Sequence, residues 1–318
     1  MMKHTCLPFI LILFFILMLL FPTPVFAGAS RGLLLWFRSV LPTLLPFMIL
    51  CSLMVRTNAL AIIERTAGPV FSRLLGVSGN GAFAVIAGFL CGYPMGAKVT
   101  AELIRNHKIS LSEGNYLLSF CNNTSPMFII SYVVWQQLHR EELTIPVLMI
   151  LIFSPVFCST VFRRYYKRRC DFQAEFVKKP SPAKSEKEPF FHILDGCMMD
   201  SFEAITKVGG YMMLFSIVPA LIREWFPALT YFHTLLLSSL EITGGVELLC
   251  DDSLSSVQQF VSVMALVSFG GWCAVAQTGS MIQETGLSVR SYTIEKLITA
   301  LVTSLISFAY LKLVALPL

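Results

Sequence analysis

Ten stretches of this chain are apolar over close to the length that crosses a bilayer: about 7–26, 33–55, 57–75, 81–104, 115–135, 143–162, 208–226, 230–250, 258–282 and 292–314. A helix needs about 20 such residues to span the hydrocarbon layer. A backbone exposed to lipid must satisfy its own polar groups, which leaves only helices and closed barrels. The short alternating strands of a barrel are not in the sequence. The expected fold class is all-α, a polytopic helical membrane protein embedded in a lipid bilayer. Composition agrees, with 55% hydrophobic and 14% charged residues against about 25% charged in soluble domains.

The net charge of +5 is concentrated between Arg163 and Glu188, in RRYYKRR and KKPSPAKSEKEP. Basic loops of this kind stay cytoplasmic, so residues 163–190 read as a hydrophilic cytoplasmic linker and not as a nucleic-acid site. The nine cysteines are scattered and form no CxxC, and the five histidines are isolated. No metal site or cofactor is expected. Residues 1–30 carry MMKHTC, an apolar run and PTPVFA, which fits a signal cleaved after Ala27 or an uncleaved first span. The next long apolar segment follows closely, which favours the span. The remaining divisions are 31–162, a first half with an extra span, and 191–318, a second half.

The two halves share features. Glu64-Arg65-Thr66-Ala67-Gly68 and Glu241-Ile242-Thr243-Gly244-Gly245 both read E-x-T-x-G, and Glu241 follows Glu64 by 177 positions. Gly270 follows Gly92, and Thr278 follows Thr100, by 178. This near-constant offset predicts an internal duplication of about 31–135 and 208–314. Counting every apolar segment as a span gives the copies opposite orientation, the inverted-repeat plan of many transporters. Segments 57–75 and 230–250 are the alternative: as re-entrant elements they would change that parity.

Two segments break in mid-course. In GFLCGYPMGAKVTAELIRNHKIS (88–110), Pro94 lacks a backbone N–H and clashes with the carbonyl four residues earlier, while Gly92 and Gly96 permit close approach. A helix restarting there aims free N–H groups and its positive end at whatever fills the gap, with Tyr93 beside the break and Lys98 one turn in. That suits a small polar or anionic solute. A structural kink with Lys98 paired to Glu102 at i+4 is the plainer reading. In the next segment Asn122 and Asn123 precede Pro126. Their amides are suited to hold a polar solute or to bond neighbouring helices. Glu64 and Glu241 are candidates to couple H⁺ or Na⁺, or to bind a donor on the solute. In the second copy Thr243, Gln277 and the Gly270-Gly271 bend are candidates for the opposite wall.

The strings LWFRSVLPTLLPFMI (35–49), GFLCGYPMGAKVTAELIRNHKIS (88–110), LLSFCNNTSPMFII (117–130) and LEITGG (240–245) resemble the nucleoside-recognition, or Gate, family, and within it the sporulation integral membrane proteins of spore-forming Firmicutes. The resemblance covers most of the chain after about residue 28. It implies two Gate-type halves similar to parts of nucleoside transporters and ferrous-iron permeases. It also implies a place in the bacterial cytoplasmic or forespore membrane and a role in sporulation, whose members are associated with passage of dipicolinic acid. The expected function is a transporter or permease for a small polar or anionic solute, dipicolinate-like or nucleoside-like, using Glu64, Gly92, Tyr93, Pro94, Gly96, Lys98, Asn122, Asn123, Glu241, Thr243 and Gln277. A non-transporting scaffold or assembly factor is the alternative. No nucleophile–base pair, HExxH or metal cluster points to an enzyme.

Overall fold

Hydropathy cannot distinguish a 24-residue span from two short helices folded against each other, and three of the ten apolar segments take the second form. The computed structural model describes residues 3–57, 59–169, 189–225, 231–251 and 254–314, and every regular element among them is helical. Six helical stretches among these are long and apolar enough to cross a membrane: Pro22–Arg56, Leu111–Gln137, Glu141–Tyr166, Phe190–Ile222, Ser256–Met281 and Val289–Leu313. The chain is thus a polytopic helical membrane protein, as the sequence predicts.

Helix α1 (Lys3–Leu20) leads into α2 (Pro22–Leu35), which continues through a π turn into α3 (Leu41–Arg56). Two short helices follow, α4 (Leu60–Thr66) and α5 (Gly68–Leu75). At 1.5 Å per residue each is roughly 10–12 Å long, too short to cross. Segment 57–75 is therefore not a span by itself, although α5 and the following Gly79–Cys91 helix, bent by 84°, are together long and apolar enough for a broken span or a re-entrant loop. Next, α6 (Gly79–Cys91) and α7 (Met95–Arg105) lie side by side. A Cβ added to Gly88 would sit 3.1 Å from the Cα of Gly96, so segment 81–104 is a hairpin with its tip at Gly92-Tyr93-Pro94. The chain then runs through α8 (Leu111–Cys121), α9 (Pro126–Phe128) with its π continuation Ile129–Gln137, and α10 (Thr144–Arg169). The first seven residues of the expected linker are the end of α10; residues 170–188 lie outside the described residues.

The second half begins with α11 (Phe190–Trp225), which packs along α2. Gly28 and Gly32 make that contact possible: a Cβ on either would come within 2.7–2.9 Å of the carbonyl of Ser216 or Met212, the close approach small residues give membrane helices. Helices α12 (Tyr231–Ser238) and α13 (Ile242–Asp251) form a second hairpin; a Cβ on Gly245 would lie 2.1 Å from the Ser238 carbonyl oxygen. Then come α14 (Ser256–Phe269), α15 (Gly271–Met281) and α16 (Val289–Val314).

Hairpin, broken span and 26-residue helix thus occur in that order twice, over 79–169 and 231–314. The 177–178 offset does not line up these shapes. Gly92 is at a hairpin tip, whereas Gly270 interrupts a single span. The physical difference is the proline: Gly92 (φ +84°) followed by Pro94 reverses the chain, while the Gly270-Gly271 pair (φ +87° and +81°) lets α15 continue from α14. Two apolar cores flank these breaks. One is built on α3, α6, α7, α8 and α11, the other on the π stretch, α10, α13 and α14.

Candidate functional site

Both hairpin tips and both span breaks meet at one place. A broken helix inside a membrane must have its freed N–H and C=O groups met by protein, water or a ligand, and the four interruptions meet each other's groups. Asn122 leaves α8 and turns its Oδ1 to the Ala97 N–H in the first turn of α7, at 3.2 Å. Its Nδ2 donates to the Thr278 hydroxyl at 2.9 Å and the Tyr292 hydroxyl at 3.1 Å. One amide therefore ties the first hairpin to α15 and α16. Thr124 donates to the Val267 carbonyl at 2.8 Å. Ser125 caps the restarted helix by accepting from the Phe128 N–H.

Tyr93, at the first tip, donates its hydroxyl toward the Ser268 and Phe269 carbonyls, both at 3.2 Å. These are the last carbonyls of α14, orphaned where the helix stops. A Cβ on Gly270 would fall 2.6 Å from the Tyr93 ring, so glycine there both takes the positive φ and makes room for the aromatic. The second tip completes the join: the Trp272 and Cys273 N–H groups that open α15 donate to the carbonyls of Ser239 and Leu240 at 2.8 and 2.9 Å.

At the centre lies Lys296 of α16, 1% exposed. Its Nζ donates to Asn123 Oδ1 at 3.1 Å and stands 5.2 Å from the centroid of the Tyr93 ring. Asn123 donates in turn to the Phe120 carbonyl. Among the described residues no carboxylate forms an ion pair with Lys296. Asn123 also borders a cavity of about 10 Å³, lined in part by Phe89, Thr124, Pro126, Val267 and Ser268 but not by Lys296, about the size of one water.

Of the residues singled out in the sequence, the fold brings Gly92, Tyr93, Pro94, Gly96, Asn122 and Asn123 to this point. Gly96 packs on Cys121 O and Asn122 Cα. Lys98 is elsewhere: 6% exposed, it pairs with Glu102 at 3.4 Å and lies 3.5 Å from the Ser201 hydroxyl, while Ser52 donates to Glu102 at 2.7 Å. Its charge is met on the opposite side of α7, between α3 and α11. Glu241, buried, caps α13 by accepting from the Thr243 and Gly244 N–H groups at 3.0 and 2.8 Å, and the Thr243 carbonyl accepts from Tyr132. Gln277 is buried on α15 and donates to Cys273 Sγ. Glu64 is exposed on α4, its methylenes against Gly79. Lys296 and Tyr292 were not among the sequence candidates. The available signal was a charged residue inside an apolar helix, which is functional by default in a membrane. Lys296 stands close enough to the start of segment 292–314 to pass for an interfacial flank.

Two predictions arise here. Asn122→Ala strands the Ala97 N–H and removes two further bonds, so we expect a loss of about 3 kcal/mol, unpaired buried groups costing roughly 1–3 kcal/mol each. Asn122→Asp keeps only the acceptor and is expected to be as damaging, read as Tm in detergent. At the second cluster, Lys98→Met leaves the Glu102 carboxylate uncompensated and should cost about 3–5 kcal/mol, whereas Lys98→Met with Glu102→Leu should recover most of it. A double variant no more stable than the single one would contradict that pairing.

Residues 37–167 of this polytopic helical membrane protein match the family model described as nucleoside recognition, Gate, in agreement with the resemblance read from the sequence. The chain is also similar to the sporulation integral membrane protein YlbJ of Bacillus subtilis (strain 168), with 26% identity over 306 residues, 87% of this chain and 75% of the relative. Among solved structures, CNTnw in an inward-facing substrate-bound state aligns with a TM-score of 0.46 and 16% identity, over 84% of this chain and 75% of that one.

Proposed function

We propose that this protein is a membrane transporter for a small anionic solute, bound where the two hairpin tips meet the two span breaks. The observation that carries the reading is Lys296, a fully buried amine with no anionic partner among the described residues, held by one amide oxygen and one aromatic face. Burying a charge is expensive unless it is paired, and an arriving carboxylate supplies the pair. The amides of Asn122 and Asn123 and the hydroxyls of Tyr93, Tyr292 and Thr278 are neutral groups that fit the remainder of a polar solute. In this arrangement Tyr93 lies over Lys296 and is bonded to the end of α14, so a solute reaches Lys296 when the first tip withdraws Tyr93. The two halves act as an inverted repeat that rocks about this point, and the solute passes chemically unchanged.

A dicarboxylate of the dipicolinate kind fits a site with one fixed cation and several hydrogen-bonding groups. That choice, a sporulation role, residence in the bacterial cytoplasmic or forespore membrane and a cytoplasmic linker rest on the Gate resemblance and on the name of the similar YlbJ. Thermal stability of the protein in nanodiscs, measured against pyridine-2,6-dicarboxylate, simple dicarboxylates and nucleosides, tests the reading. Binding to the folded state alone raises stability by about 2.7 kcal/mol at a hundredfold excess over Kd. We expect a rise with the dicarboxylates that is lost in Lys296→Met and kept in a variant at Glu64. A rise with nucleosides only would overturn the anionic solute. No rise with any compound would favour a scaffold.

A further inference from the structure

We propose that Glu295 is the proton-exchange site that couples this transporter to protons, an inference that rests on the transporter reading above. Glu295 is 7% exposed. Its Oε1 accepts from the Tyr166 hydroxyl at 2.6 Å, and its Oε2 is buried with no hydrogen-bond partner. Among the described residues no cation makes an ion pair with it. Glu113 also has a buried oxygen with no partner, but its other oxygen is fixed by the Ser78 backbone N–H, whereas Glu295 is met, among the described residues, only by a tyrosine hydroxyl and stands next to Lys296 on α16. Glu295 has a free oxygen in a membrane interior, the pattern of a group that takes up and gives back a proton.

Its surroundings are nearly neutral. From α10 the group facing it is Tyr166, with Cys158 deeper along the helix and Arg163 one turn earlier, the Arg163 guanidinium filling the turn at Gly76. From α8 comes Tyr116, whose ring lies 6.3 Å from that of Tyr166. Glu113 of α8 is engaged by the Ser78 N–H and Cys121 by Thr100. Helix α14 has no titratable side chain and α15 has Cys273 only. On α16 itself the neighbour is Lys296.

Successive helical residues point about 100° apart. Glu295 therefore faces α10 while Lys296 faces Asn123 and the hairpin tips. Tyr166 stands near the basic end of α10, next to exposed Arg164 and Tyr165. The Tyr166 hydroxyl passes its proton to Glu295 Oε1 across the 2.6 Å bond and takes a replacement from water at that end, so one O–H bond forms on the carboxyl and the tyrosine stays neutral; release reverses both transfers and leaves the carboxylate. With the solute's carboxylate on Lys296 and a proton on Glu295, adjacent positions of one rigid helix load and unload together, and one proton moves with each anion.

Two measurements test this on the full chain in liposomes. The first needs no solute: wild type is expected to show an infrared C=O band of a protonated carboxylic acid that fades as pH rises and is missing in Glu295→Gln. A wild-type spectrum without that band, or one unchanged in the variant, overturns the proposal whatever the uptake result. The second uses pyridine-2,6-dicarboxylate. Wild type should accumulate it under an inward proton gradient. Glu295→Gln should keep counterflow exchange within about twofold and lose gradient-driven accumulation, with Tyr166→Phe slowed but still coupled. Gradient-driven accumulation by Glu295→Gln equal to wild type overturns the coupling. A pH-dependent band with no movement of the dicarboxylate by wild type counts against the proposed solute and leaves the proton site standing.

Discussion

Lys296→Met is expected to abolish anion binding and uptake while leaving the protein folded and at least as stable as wild type. The two effects have one cause. Wild type buries the Lys296 amine with no counter-ion among the described residues, a burden on the empty state that methionine, of similar length, relieves. Replacing buried ionic groups by apolar ones of like volume is often neutral or stabilising. The bound state loses the one cationic side chain that the described residues place at the site. Truncating one member of a buried charge pair weakens binding by about 2–5 kcal/mol, or roughly thirtyfold to several thousandfold. Lys98→Met is expected to do the reverse, destabilising the fold because Glu102 stays behind. Tm and dicarboxylate binding, measured on both variants, separate the two lysines. Lower stability in Lys296→Met, with binding intact, would contradict this account.

The second large effect is expected at Gly88. A Cβ there would lie 1.9 Å from the Cys121 carbonyl oxygen and 3.1 Å from the Cα of Gly96. Both obstacles are backbone, so no side chain can swing aside. Gly88→Ala must push the first hairpin away from the end of α8, which breaks the Asn122–Ala97 bond and moves Tyr93 off the α14 carbonyls. Overpacking a tight core costs typically 1–3 kcal/mol, and the lost hydrogen bonds add to it, so we expect little folded protein at 37 °C. Gly210→Ala is the control, since an added Cβ there meets nothing within 4 Å. Recovery of folded protein in detergent, followed by size-exclusion chromatography, compares the two.

Much of this was legible in the sequence. The fold class follows from apolar length, and Pro94 and Pro126 mark the breaks that bring Tyr93, Asn122 and Asn123 to the centre. What the sequence could not show was which broken segments fold back. A hairpin of 13 and 11 residues and a 26-residue span with a glycine pair in the middle have similar hydropathy; only the contacts of Gly88 with Gly96 and of Gly245 with Ser238 distinguish them. That ambiguity set the repeat at an offset of 177–178 and pointed to Lys98, the cation next to the first break. In the fold Lys98 faces away, matched by Glu102 four residues on. The cation at the centre comes from a helix almost 200 residues later, and no local pattern links Lys296 to Asn123.

The most direct measurement is uptake of labelled pyridine-2,6-dicarboxylate into liposomes carrying wild type, Lys296→Met or Lys98→Met with Glu102→Leu. The account predicts saturable uptake by wild type, none above background for Lys296→Met despite full incorporation, and retained uptake for the double variant. Uptake by Lys296→Met at the wild-type rate would contradict the proposed site.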